Sequence, residues 1–130
     1  MKGHGFIDRL CFAWAGLRAA WRMEKSIRTH ALATIGVTAL LLITHAPPIW
    51  WAIMALTIAL VVATELLNTA IEALADHLHP QQHEAIKLTK DVAAGAVLVA
   101  SVLALVVGGA FFMDQIWPLL SAWLRPLHPG

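Results

Sequence analysis

The stretch IWWAIMALTIALVVATELLNTAIEALAD (residues 49–76) is apolar for fifteen positions and then carries Glu65, Asn68, Glu72 and Asp76 with no helix breaker between them. These four follow one another at steps of three, four and four residues. At ~100° per residue the three carboxylates fall within a narrow arc, with Asn68 just beside it. One continuous helix therefore carries a polar stripe from inside an apolar zone out to the loop that follows. A carboxylate at membrane depth is costly and faces a bundle interior or a partner. Several on one stripe repel each other unless cations sit among them. A hard cation such as magnesium takes oxygen ligands, commonly one or two carboxylates together with substrate phosphates.

The rest of the chain supports a bilayer as its solvent. Of 130 residues, 59% are hydrophobic and only 13% are charged, and the mean hydropathy is +0.71. A soluble domain carries about 25% charged residues. No segment outside the apolar runs is long enough to bury a core. Cys11 is the only cysteine, which excludes an internal disulfide framework and a CxxC metal signature. The first thirty residues are charged and contain no long apolar stretch, so no cleavable leader is expected.

Working outward from 49–76, the apolar run ALATIGVTALLLITHA (31–46) precedes it and ends at Pro47-Pro48. The run is short for a span of ~20 residues, so the turn before it contributes, giving a helix over 29–46. Trp50 and Trp51 suit an interfacial anchor. Residues 77–89 read as a polar loop, 91–113 as the third span, and 114–130 as an interfacial tail. Ahead of the spans, Ile7, Leu10, Trp14, Leu17 and Trp21 recur at steps of three and four, with Arg18, Arg22 and Lys25 on another face. That pattern predicts an amphipathic helix over 6–28 lying on an anionic membrane surface. The expected fold is an all-α integral membrane protein, an N-terminal amphipathic surface helix plus three transmembrane helices in one domain over 1–130.

Basic residues set the expected orientation. Lys2, Arg9, Arg18, Arg22, Lys25 and Arg28 precede the first span, and Lys87 and Lys90 lie between the second and third. The connection between the first two spans has none. The positive-inside rule then puts the N-terminus and the 77–89 loop in the cytoplasm, and the C-terminus outside.

The cytoplasmic interface is thus expected to gather Glu24, the charged end of the second span and the pair Lys90-Asp91, with Arg22 and Arg28 beside them. The alternative for such charges is snorkelling and topology setting, and Arg9, Glu84, Lys87 and Asp114 are read that way. His77, His79 and His83 match no standard zinc spacing and read as loop histidines. No GxxxxGK[ST], GxGxxG or GxSxG is present.

At GLRAAWRMEKSIRTHA (16–31), ELLNTAIEALAD (65–76) and HEAIKLTKDVAAGAVLV (83–99) the sequence resembles the prokaryotic diacylglycerol kinase family, which includes the undecaprenol kinases. The likeness covers roughly residues 12–110. It implies a homotrimer of three-span subunits, with active sites shared between neighbours near the cytoplasmic interface of the bacterial inner membrane. By matching position it implies Glu65 as general base toward the lipid hydroxyl, with Asn68 orienting the base or the substrate. It implies Glu24 and Glu72 as holders of the magnesium that accompanies ATP. Phe12, Glu24, Glu72, Asp76, Gln81, Gln82, His83, Lys90 and Asp91 match nucleotide positions; the family often has Tyr where Phe12 stands. Arg18, Ala19, Ala20, Trp21, Ser26, Ile27, Arg28, Thr29 and His30, with Glu65, match the lipid site. The expected substrate is diacylglycerol, with undecaprenol as the alternative: GLRAAW looks like the former's kinases, His30 and KDVAAGAVLV like the latter's.

Two readings of other classes compete. An ion or proton channel also uses intramembrane carboxylates, but it needs charge through the whole bilayer depth. Ile49 to Leu56 has no ionisable residue. A membrane adaptor built on the small residues Ala93, Ala94, Gly95 and Ala96 suits close helix packing. It leaves Glu65 and Glu72 without a purpose.

Overall fold

The computed structural model describes residues 3–125; Lys2 and positions 126–130 of the expected tail lie outside the described residues. The described chain is helical: α1 (Phe6–Met23), α2 (Lys25–Ile43), α3 (Pro48–Leu78), α4 (Glu84–Phe111), a π-helical turn (Phe112–Ile116) and α5 (Trp117–Leu124). Three helical stretches, Lys25–Ile43, Pro48–Leu78 and Glu84–Leu124, are long and apolar enough to cross a membrane.

The boundary between the first two helices falls at Glu24, earlier than the expected 28. Glu24 adopts an extended backbone (φ −114°, ψ 121°), and its N–H donates to the Ala20 carbonyl to close α1. Residues 25–28 thus join the span and bring α2 to 19 residues, close to the ~20 that a hydrocarbon core requires. The apolar line of α1 would run into the Glu24 carboxylate, and the chain changes direction there. Ile7, Leu10, Trp14, Leu17 and Trp21 are all exposed, so that line is bare along its length.

α2 ends in a reciprocal cap. The His45 N–H donates to the Leu42 carbonyl and the Ala46 N–H to that of Leu41, with His45 in the left-handed region at φ 49°. Pro47 then caps α3 and Pro48 is its first residue, where a missing N–H costs nothing.

α3 has 31 residues, hence a length of about 46 Å, well beyond the ~30 Å hydrocarbon thickness. Glu65 stands about 26 Å along it from Pro48. The apolar stretch therefore ends near Glu65, and Glu72 and Asp76 lie on the part that emerges.

α4 begins at Glu84 and not at 91, and the helical path continues through the expected tail to Leu124. The π turn has a local cause. Pro118 offers no N–H to the carbonyl of Asp114, and the Trp117 N–H instead reaches back five residues to Phe112.

α3 packs most extensively along α4, and less so along α2. Met54, Thr57, Val61, Glu65 and Ala75 are the buried residues of α3, and Ala93, Ala100 and Phe111 those of α4. Alanines on α4 let the two backbones approach closely. At the far end the indole N–H of Trp50 donates to Asp114 at 2.8 Å, and Trp50 meets Phe111 edge to face. Leu41, Met54 and Phe111 cluster beneath this clasp. Several hydroxyls within the spans are satisfied internally: Thr34, Thr38, Thr57, Thr69 and Ser101 each donate to the carbonyl four residues earlier.

Candidate active site

The polar stripe of α3 is graded by depth. Glu65 is 9% exposed, Asn68 and Glu72 are half-buried, and Asp76 is exposed. One continuous helix presents all four, as their spacing predicts. Among the described residues no cation pairs with Glu65. Asn68 Nδ2 donates to Glu72 Oε1 at 3.2 Å, which leaves the buried Asn68 Oδ1 with no hydrogen-bond partner. The stripe is therefore a preset arrangement: a buried carboxylate, an amide held in one direction, and a second carboxylate holding it.

Where α3 leaves the apolar zone, a cavity of ≈ 470 Å³ opens between its end and the start of α4. Asp76, Gln81, Gln82, His83, Lys90 and Asp91 line it together, joined by His79, Pro80, Glu84, Ile86 and Lys87. His83 caps α4, its Nδ1 accepting from the Ala85 N–H at 3.2 Å, so the loop is tied to the helix start. Across the cavity Lys90 Nζ donates to Asp76 Oδ1 at 2.7 Å. Lys87 pairs with Asp91 one turn along α4. Two ammonium groups, three carboxylates and two side-chain amides thus line one space.

Phe12, Glu24 and Glu72 do not line this cavity. Phe12 is exposed on α1 and meets the His4 ring edge to face at 5.1 Å. Glu24 sits at the α1–α2 break. Around it lie the residues matched to the lipid site: Arg18, Ala19, buried Ala20 and half-exposed Trp21 before the break, and Ser26, Ile27, Arg28, Thr29 and His30 after it. Ser26 Oγ is buried without a partner, and the Thr29 hydroxyl turns back onto the Lys25 carbonyl. His30 reaches further, lining a small apolar cavity of ≈ 170 Å³ where α2, α3 and α4 meet.

Within the described residues of one chain the acidic helix ends do not form a cluster of three or more ligands. Among the described residues no three His, Cys, Asp or Glu side chains come together as ligands. The donor chemistry nevertheless fits magnesium, because Glu24, Glu72, Asp76 and Asp91 all offer hard carboxylate oxygens. Glu72 commits one oxygen to Asn68 and keeps the other available.

Two cavity residues, Glu84 and Lys87, were read from sequence as topology-setting charges. Helix period was the available signal, since Lys87 lies three residues before Lys90 and shares its face.

Residues 11–112 match the sequence profile of the family described as prokaryotic diacylglycerol kinase. The chain belongs to the prokaryotic diacylglycerol kinase family. It is 40% identical over 111 residues to a diacylglycerol kinase of Synechocystis sp., a match covering 85% of this chain and 62% of that protein. To a diacylglycerol kinase of Escherichia coli it is 32% identical over 95 residues, 73% of this chain and 78% of the relative. An undecaprenol kinase of Bacillus subtilis is 32% identical over 111 residues, 85% of this chain and 90% of the relative. These relatives are named as diacylglycerol kinases and an undecaprenol kinase, and the channel and adaptor readings gain nothing from them. The matched span of the kinase family takes in the α1–α2 break, the α3 stripe and the α4 start together.

Proposed function

We propose that this protein is an ATP-dependent diacylglycerol kinase of the bacterial inner membrane, transferring the γ-phosphate to the lipid hydroxyl and yielding phosphatidic acid. The observation that carries the reading is the buried, unpaired Glu65 at the inner end of the apolar stretch of α3, on the same helix as the nucleotide-sized cavity. A lipid hydroxyl approaches Glu65 from the bilayer side, and a nucleotide enters from the polar side. Glu65 takes the hydroxyl proton as the oxygen attacks the γ-phosphorus. The bond from that phosphorus to the β–γ bridging oxygen breaks in line, and ADP leaves without a phosphoenzyme. Asn68, its amide direction set by Glu72, orients the base or the substrate, while the one hydroxyl proton goes to Glu65.

Gln81, Gln82, His83, Lys90, Asp91 and Asp76 bind the nucleotide in the ≈ 470 Å³ cavity. Glu24 and Glu72 would hold magnesium, which supplies charge neutralisation at the phosphate oxygens. Among the described residues of one chain no such ligand group forms, which supports a reading in which Glu24, Phe12 and the lipid-site residues around the α1–α2 break serve the α3 stripe of a neighbouring subunit. A homotrimer with shared sites follows the family resemblance. The bare apolar line of α1 supports an amphipathic helix on the cytoplasmic membrane surface, and the positive-inside rule supports an N-terminus and cavity on the inner side.

Purified protein given labelled ATP, magnesium and either diacylglycerol or undecaprenol in mixed micelles tests the reading. Labelled phosphatidic acid is expected. Product from undecaprenol alone would transfer the same mechanism to that alcohol, and no product from either would sink the kinase reading.

A further inference from the structure

We propose that Lys87 is a second phosphate-binding cation of the loop cavity, acting beside Lys90; this rests on the nucleotide reading of that cavity. Lys87 and Lys90 lie three residues apart on the first turns of α4, so their side chains share one face. Both line the cavity, and each is engaged by an aspartate that lines it too: Lys90 by Asp76 at 2.7 Å, Lys87 by Asp91.

The charge balance of the lining makes Lys87 necessary. Its ionisable members besides histidine are three carboxylates, Asp76, Glu84 and Asp91, against two ammonium groups, Lys87 and Lys90. Without Lys87 a single cation would face three carboxylates and an incoming polyphosphate. Its pair with Asp91 is an exposed contact within one helix, with side-chain exposures of 76% and 58%. Such pairs contribute little and are screened by salt. Exchanging that partner for phosphate oxygens therefore gives up little, and the ammonium brings three rotatable donors to the anion. The aspartate keeps Lys87 at the cavity until nucleotide arrives.

The test uses the full chain in detergent micelles with diacylglycerol. Lys87→Gln is expected to raise KM for Mg-ATP about tenfold, the loss of one charge-assisted contact, while KM for the lipid stays at the parent value. Lys87→Arg, which keeps the charge, is expected to recover most of the loss. An unchanged KM for ATP, or an equal rise in KM for the lipid, overturns the proposal. A second measurement needs no variant: Mg-ATP is expected to protect Lys87 of the parent protein from an amine-acylating reagent, read by mass spectrometry. Equal labelling with and without nucleotide overturns it. Protection in a parent that phosphorylates no lipid would remove the lipid-kinase reading and leave the nucleotide contact of Lys87 standing.

Discussion

Asn68 donates through Nδ2 to Oε1 of Glu72 at 3.2 Å, and that bond turns its own Oδ1 into a buried acceptor with nothing to accept from. An unmade hydrogen bond of this kind costs about 1–3 kcal/mol. A leucine there would carry no such cost, whereas an amide suits a site that meets its donor only when substrate arrives. Asn68→Leu is accordingly expected to unfold at a higher temperature in detergent while losing at least about tenfold in kcat. Thermal unfolding and a phosphorylation assay on one preparation check both halves. A variant that is both less stable and fully active would mean that Oδ1 has no such task.

Glu65→Gln separates chemistry from binding. A buried amide is less costly than a buried carboxylate, so the variant is expected to fold at least as well as the parent. Without the base, kcat is expected to fall by about 10²–10⁴. Equilibrium binding of ATP should be near the parent value if nucleotide occupies the loop cavity, because Glu65 does not line it. Turnover close to that of the parent would remove Glu65 from the base role.

Much of α3 was legible because its charges and its apolar residues obey the same helical period. Glu65, Asn68, Glu72 and Asp76 announce both the helix and the face it uses. The start of α4 was not, since Glu84, Lys87 and Lys90 make its first two turns read as loop by hydropathy, although helix period would have joined them. The break at Glu24 carries no proline or glycine, and only the collision of an apolar line with a carboxylate hints at it. The Trp50–Asp114 clasp joins positions 64 residues apart. No local pattern encodes such a partner, and Asp114 read as an ordinary surface charge. Within the cavity, the loop amides and His83 came from family likeness, periodicity placed Asp76, and the charges at the start of the third span pointed to Lys90 and Asp91.

The α3–α4 seam can be tested by its volume. Ala100 is 3% exposed on α4, in the stretch of small residues that lets α3 approach. Ala100→Leu adds bulk at a buried position of α4, the helix that packs most extensively on α3. A loss of about 1–3 kcal/mol is expected, read as a lower unfolding temperature in detergent. Ala94, exposed on the outer face of the same helix, is expected to accept leucine with little change.

Shared sites make a prediction about mixtures of two inactive proteins. In one chain Glu24 lies on the α1–α2 break, and among the described residues it joins Glu72 in no cluster of three or more ligands. If a working site combines Glu24 of one subunit with Glu65 and Glu72 of its neighbour, Glu24→Gln and Glu65→Gln disable complementary halves. Each variant alone is expected to be nearly inert. Dissociated, mixed in equal amounts and reassembled, they form sites at random, and a site is whole when its first half comes from the Glu65→Gln chain and its second from the Glu24→Gln chain. Random cyclic assembly gives about a quarter of sites both intact halves, so the mixture should recover about a quarter of parent activity. A site contained within one chain gives none, whatever the mixing ratio, because every chain then carries a disabled site of its own. Varying the ratio sharpens the test, since recovery from shared sites peaks at equal amounts and falls off symmetrically on either side.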